Sequence, residues 1–172
     1  MFRIFTPNLL TPHLRIDSVV ELTPDRLAEI GITSLLLDVD ATLKPYRSRE
    51  PLDKVAEWLR HVRESGIGLC LVSNGRSQRI GPFAAALALP YVAPAMKPLP
   101  YGVRRAVRMM NFIPEHTAMV GDQIFADILA GRLAGLTTIL VSPIFPEQEP
   151  WFARMKRPFE RLLGGKSYRS SG

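Results

Sequence analysis

Cysteine is almost absent from this chain: of its 172 residues, only Cys70 carries a thiol. One thiol can close no intrachain disulfide and build no cysteine cage for zinc, and a reducing, cytoplasmic setting fits it. Histidine is scarce as well. His13, His61 and His116 stand in no metal-ligand spacing, which makes each a surface or packing residue. No apolar run approaches the roughly eighteen residues that cross a bilayer. The opening residues 1–14 are interrupted by Pro7 and Pro12, so neither a membrane span nor a signal peptide is expected. There is no Walker-type glycine loop, no internal repeat and no long polar tract, which excludes a disordered or low-complexity chain. Acid is the minority charge. With 22 Lys and Arg against 16 Asp and Glu, the net +6 suggests an anionic partner: a phosphate ester, nucleic acid or a lipid surface.

What is present is enough apolar residue, 47%, to bury the core of one compact domain spanning residues 1–172. The run from Ile32 to Asp40 is continuously apolar and ends in acids, as expected of a strand buried on both faces. Ile67 to Asn74, His116 to Asp122 and Thr137 to Ser142 repeat that form. Helical spacing fills the intervals at Leu52 to Ser65, Pro100 to Met110 and Ile124 to Ala134, with Gly66 and Gly135 as stops. A short helix is expected from Pro24 to Ile30, capped by Thr23. Alternation of this kind predicts a parallel sheet of α/β class, whose ligands bind beyond the carboxyl ends of the strands.

The polar residues fall at that edge. Asp38 and Asp40 close the first core strand, Ser73 and Asn74 the second, and Asp122 the third, while Lys97 lies in a loop before a helix. Taken alone, Asp38-Val39-Asp40-Ala41-Thr42 fits either a pair of solvated turn acids or two carboxylates aimed at a metal or phosphoryl group, provided the chain leaves strand geometry there. Gly121-Asp122-Gln123-Ile124-Phe125-Ala126-Asp127 reads as a helix cap or as two further acids at the same edge, with Gly121 permitting close backbone approach. The Ser73 hydroxyl suits a strand-end turn or a phosphate oxygen, and Lys97 suits a solvated loop or the neutralisation of phosphate and carboxylate together. Asn74 fits substrate positioning and a solvated turn equally well. Cys70, inside an apolar strand, reads as an inert buried thiol.

In order and spacing, Asp38-x-Asp40-x-Thr42, Ser73, Lys97 and Gly121-Asp122-x-x-x-x-Asp127 resemble the four motifs of the haloacid-dehalogenase-like phosphohydrolases, with residues 32–142 as the motif-bearing core. The Ser-Asn-Gly, Lys-Pro and Gly-Asp-Gln elements and the basic tail are similar to the branch that includes phosphatidylglycerophosphate phosphatases. Ala41 and Ala126 depart from that branch, where Asn or Gly, and Thr, are common. The resemblance implies a three-layer α/β/α, Rossmann-like fold without a cap, and a Mg²⁺-dependent phosphomonoester hydrolase. It further implies Asp38 as nucleophile and Asp40 as general acid and base. The metal would be held by Asp38, the backbone carbonyl of Asp40 and Asp122, with Asp127 orienting that site from behind; Thr42, Ser73, Asn74 and Lys97 would bind phosphate.

Family members often enclose their substrate with an inserted cap, but here the gaps from Asp40 to Ser73 and from Ser73 to Lys97 have room only for a loop, two helices and a short strand near Tyr91. The second of these helices is expected from Ser77 to Leu89. An open site follows, shielded by a large substrate or a partner surface. Residues 147–172 form a basic tail; within residues 151–172 six Lys and Arg stand against Glu160 alone, and Trp151, Met155, Phe159 and Leu162 recur at helical spacing. The tail fits a helix docked on the core and one lying on an anionic membrane at residues 151–172. No nucleic-acid motif accompanies it. Dephosphorylation of an anionic phospholipid, phosphatidylglycerophosphate, at the membrane surface is the leading expectation. A soluble or nucleic-acid-end phosphomonoester and a non-catalytic binding scaffold are the alternatives.

Overall fold

A computed structural model describes residues 8–145; the basic tail lies outside the described residues. Six strands form one all-parallel sheet in the order β1-β6-β5-β2-β3-β4. The strands are β1 (Leu14–Ile16), β2 (Ser34–Leu37), β3 (Gly68–Val72), β4 (Tyr91–Val92), β5 (Thr117–Gly121) and β6 (Thr137–Val141). The helices are α1 (Pro24–Glu29), α2 (Asp53–Glu64), α3 (Ser77–Ala86), α4 (Tyr101–Met109) and α5 (Leu129–Ala134).

Alternation along the buried strands sorts the side chains into two cores. Leu35, Leu37, Leu69, Leu71, Ala118 and Val120 pack on one face with Leu27 of α1, Val55, Leu59 and Val62 of α2, and Ile80 and Phe83 of α3. Leu36, Cys70, Val72 and Met119 point the other way, against Val103, Ala106 and Val107 of α4 and Ala130 of α5. The result is the expected three-layer α/β/α arrangement, and it explains why these strands read as unbroken apolar runs. Each fully buried leucine contributes roughly 2 kcal/mol of transfer free energy. Thr23 caps α1 as expected, accepting a hydrogen bond from the Arg26 amide at 3.2 Å, and Trp58 anchors α2 by donating its indole N–H to the Leu22 carbonyl at 2.9 Å.

Three departures from the sequence reading bear on the site. The first core strand, expected over 32–40, pairs only from Ser34 to Leu37. Beyond it Asp38 still donates its amide to Val120, but the Val39 carbonyl accepts from Leu43, and Ala41 turns left-handed at φ 61°. The helix expected from Ile124 begins with a wide π turn over Ile124–Ile128 before α5. The edge strand β1 has no counterpart in the sequence reading. Between β2 and β4 the chain forms only a loop, α2, β3 and α3. Among the described residues no helix is long and apolar enough to cross a membrane.

Candidate active site

The parallel strands β2, β3 and β5 end side by side, so the segments that follow them meet over the sheet's carboxyl edge. Lys97 is the hub. Its side chain is 1% exposed, and Nζ donates to Asp38 Oδ1 at 2.7 Å, Asp127 Oδ1 at 2.6 Å and the Val72 carbonyl at 2.8 Å. All three ammonium protons are therefore used. Burial alone would push the lysine down, but Asp127 and Asp38 outweigh it and hold the ammonium above the usual lysine range.

Asp38 is buried, and burial pushes its carboxyl up to about 7 despite Lys97, with Asp127 adding repulsion. Its second oxygen accepts from the Thr42 hydroxyl at 3.3 Å; the same hydroxyl lies 3.5 Å from Asp122 Oδ1. One carboxylate oxygen from each of Asp38, Asp122 and Asp127 falls within 4.8 Å of the others. Three carboxylate oxygens this close offer hard donors of the kind a small divalent cation takes, and Lys97 offsets part of their mutual repulsion at Asp38 and Asp127.

Asp127 lies within this cluster, with both carboxylate oxygens engaged. Lys97 takes one of its oxygens, and the Gln123 amide donates to the other at 3.0 Å. That reach back to Gln123 accompanies the wide turn at Ile124–Ile128. It also needs Gly121, because a Cβ there would collide with the Asp127 carboxyl.

The Asp40 side chain is not part of the acidic cluster. Lys44 Nζ donates to Oδ1 at 2.7 Å, and the Arg79 guanidinium takes Oδ1 and Oδ2 together. Burial opposes ionisation, but Arg79 and Lys44 hold the carboxyl below the usual range. Arg79 and Lys44 were not singled out in the sequence: nothing in the spacing links Asp40 to a residue 39 positions away, while the i,i+4 pair with Lys44 was legible but lies in a loop.

Ser73 is buried, and its hydroxyl accepts from the Gly75 amide at 3.0 Å, a bond that leaves its proton available to donate. Asn74 is tied to the Lys97 backbone through both ends of its amide. Its Nδ2 donates to the Lys97 carbonyl and its Oδ1 accepts from the Lys97 amide, both at 2.8 Å, so the amide braces the lysine's backbone. Gly102 at the start of α4 packs on the backbone of Ala95, where a Cβ would not fit, and holds the same loop from behind. Away from the site, burial pushes the Cys70 thiol up to about 12, and His116 Nδ1 pairs with the Gly31 carbonyl, as befits packing residues.

Carboxylates and a buried lysine thus meet at the carboxyl edge of a parallel sheet, the place where α/β proteins bind their ligands. A family model described as haloacid dehalogenase-like hydrolase matches residues 13–135, and the chain belongs to that family. It is 31% identical over 152 residues to the probable phosphatase YqeG of Bacillus subtilis, covering 88% of each protein. It is 33% identical over 118 residues to a phosphoserine phosphatase of Thermus thermophilus, 60% of this chain and 47% of that one. Among solved structures, NagD from Escherichia coli K-12 superposes with a TM-score of 0.55 at 17% identity, over 66% of this chain and 89% of the other, a likeness of fold.

Proposed function

We propose that the protein is a Mg²⁺-dependent phosphatase that removes the terminal phosphate of phosphatidylglycerophosphate at a membrane surface. The observation that carries the phosphatase chemistry is the Lys97 ammonium bridging Asp38 and Asp127, whose carboxylates lie together with that of Asp122 within 4.8 Å of one another. Asp38 attacks phosphorus in line, forming a carboxyl-phosphate bond as the ester P–O bond breaks, and Asp40 gives its proton to the departing alkoxide. Water, deprotonated by Asp40, then cleaves the acyl phosphate and restores Asp38. Thr42 and Ser73 donate to phosphoryl oxygens, and Lys97 holds Asp38 and offsets the charge gathering on the phosphoryl group. Asp38, Asp122 and the Asp40 carbonyl, with Asp127 behind, would hold Mg²⁺, whose charge would offset the repulsion between the anionic nucleophile and the anionic phosphate.

Two features support a lipid substrate. No inserted unit stands over the site among the described residues, so a small free metabolite would react in open water. The loop that carries Lys97 exposes Met96 (61%) and Leu99 (46%), and the start of α4 beside it exposes Tyr101 (66%), apolar groups suited to a lipid interface. The basic, apolar-striped residues 151–172 add charge attraction to an anionic leaflet. Phosphate release across a panel tests this reading: phosphatidylglycerophosphate in mixed micelles is the expected best substrate, with activity lost in EDTA. Turnover of free sugar phosphates with none of the lipid would overturn the lipid assignment, and no Mg²⁺-dependent turnover at all would leave a binding scaffold.

A further inference from the structure

Next to Asp40 lies a cavity of about 560 Å³, within the range of small-molecule sites, roughly 300–1,000 Å³. Its walls include Lys44, Arg47, Arg49 and Arg79 together with the rings of Tyr46 and Phe83, and no acidic residue lines it. Lys44 and Arg79 are already paired with Asp40, whereas Arg47 and Arg49 are exposed and make no ion pair with any described residue. Four cations around one cavity repel one another unless an anion joins them, and Asp40 supplies only one negative charge.

The cavity's position tells which part of a substrate it meets. Asp40, the group that hands a proton to the leaving oxygen, is held by two of the cavity's own wall residues. An alcohol departing past Asp40 therefore enters this cavity, while the phosphoryl group stays over Asp38. We infer that the cavity is a second anion site on the leaving-group side, selecting phosphomonoesters whose alcohol carries a further anionic group. Arg47 and Arg49 bind that group in charge-assisted, fork-shaped hydrogen bonds. Tyr46 and Phe83 cover the carbon chain between the two anions. The inference rests on the phosphatase reading for the direction in which the alcohol leaves. It assigns specificity to two arginines that no motif contains.

Soluble probes test it on the full chain with Mg²⁺. Glycerol 3-phosphate carries no second anion, 3-phosphoglycerate carries a carboxylate, and deacylated phosphatidylglycerophosphate carries a phosphodiester. The expected kcat/KM is about tenfold or more higher for the anion-bearing members, chiefly through KM, and that ratio shrinks as salt is raised. The larger ratio of the two tells carboxylate from phosphodiester. In the Arg47→Gln/Arg49→Gln variant, whose altered side chains are exposed and whose fold is checked by circular dichroism, the ratio falls toward one. Equal kcat/KM for all three probes, or a ratio unmoved in the double variant, overturns the inference while leaving the phosphatase reading intact. Binding to the Asp38→Asn protein, which cannot turn over, decides the cavity separately from the chemistry. About tenfold tighter binding of the deacylated headgroup than of glycerol 3-phosphate supports it, and equal affinity overturns it even if every substrate is hydrolysed.

Discussion

Arg79, in the first turn of α3, grips both carboxylate oxygens of Asp40, with Nη1 2.8 Å from Oδ1 and Nη2 against Oδ2. Such a fork stabilises the charged form and makes Asp40 a reluctant acid until the guanidinium lets go. Arg79→Gln should raise the range over which Asp40 holds its proton. With glycerol 3-phosphate the alkaline limb of kcat/KM therefore moves to higher pH, whereas an activated aryl phosphate, which needs no protonation of its leaving group, shows no such movement. A limb that stays put for both substrates would remove Asp40 from the acid role.

Asp38→Asn keeps the side chain's volume but removes the attacking charge, so turnover should fall by about three orders of magnitude or more. The same change has an opposite effect on the metal-free fold. An acid whose range rises from 3.8 to about 7 on folding binds a proton that the unfolded chain has released. Its contribution to stability thus falls as pH rises through that window and is level above it. Metal-free Asp38→Asn should be more stable than the parent at pH 8 by about 1–3 kcal/mol, with little difference at pH 4; the lost Lys97 bond offsets part of the gain. Thermal melts in EDTA at the two pH values measure this. Added Mg²⁺ should raise the melting temperature of the parent far more than that of the variant.

Gly121→Ala places a methyl group against the Asp127 carboxyl. Because Lys97 and the Gln123 amide both hold Asp127, the carboxyl cannot move without loosening the lysine. A loss of about 1–3 kcal/mol in stability is expected, with weakened Mg²⁺ affinity by calorimetry. A fully stable, metal-binding variant would mean the β5 end yields more easily than its packing suggests.

Ala41 stands at φ 61° with no exposed surface. Ala41→Gly relieves the left-handed backbone but gives up a buried methyl, and the two effects nearly cancel, to within about 1 kcal/mol. Ala41→Val adds a β-branched side chain to the same backbone and should cost more than about 2 kcal/mol. Chemical denaturation of the pair measures the contrast. A valine as benign as glycine would show that the turn between Asp38 and Lys44 can be rebuilt.

Deleting residues 151–172 should weaken sedimentation with anionic vesicles, while turnover of a soluble phosphomonoester survives because no motif residue lies beyond Asp127. The difference should narrow as salt is raised. Equal vesicle binding by the truncated chain would exclude the tail as the membrane contact, and unfolding would point to a helix docked on the core.

The buried strands were legible because burial on both faces makes them continuously apolar, and α1, α2 and α4 because each buries one face at helical spacing. So was the convergence of Asp38, Ser73, Lys97 and Asp122, which follows from strands ending at one edge. What escaped depends on partners distant in the chain. β1 is three residues long and exists through its pairing with β6, so no periodicity could announce it. The wide turn at Ile124 occurs where Asp127 reaches back to Gln123, a demand of the site that helical spacing does not encode. Arg79 looked like any exposed cation on a helix until the fold brought it to Asp40.

The brace between Asn74 and the Lys97 backbone continues the sheet by other means. Past Val72 and Val92 the two chains still exchange amide bonds, from Ser73 to Val92 and from Ala95 to Ser73, and the Asn74 side chain then stands in for the next rung. The lysine is thereby indexed to the sheet, although it sits in a loop. Chain length should be freer downstream of it, at Leu99 and Pro100, than upstream between Val92 and Met96. There, an added residue would shift Lys97 out of register with Asp38 as surely as a slipped strand would.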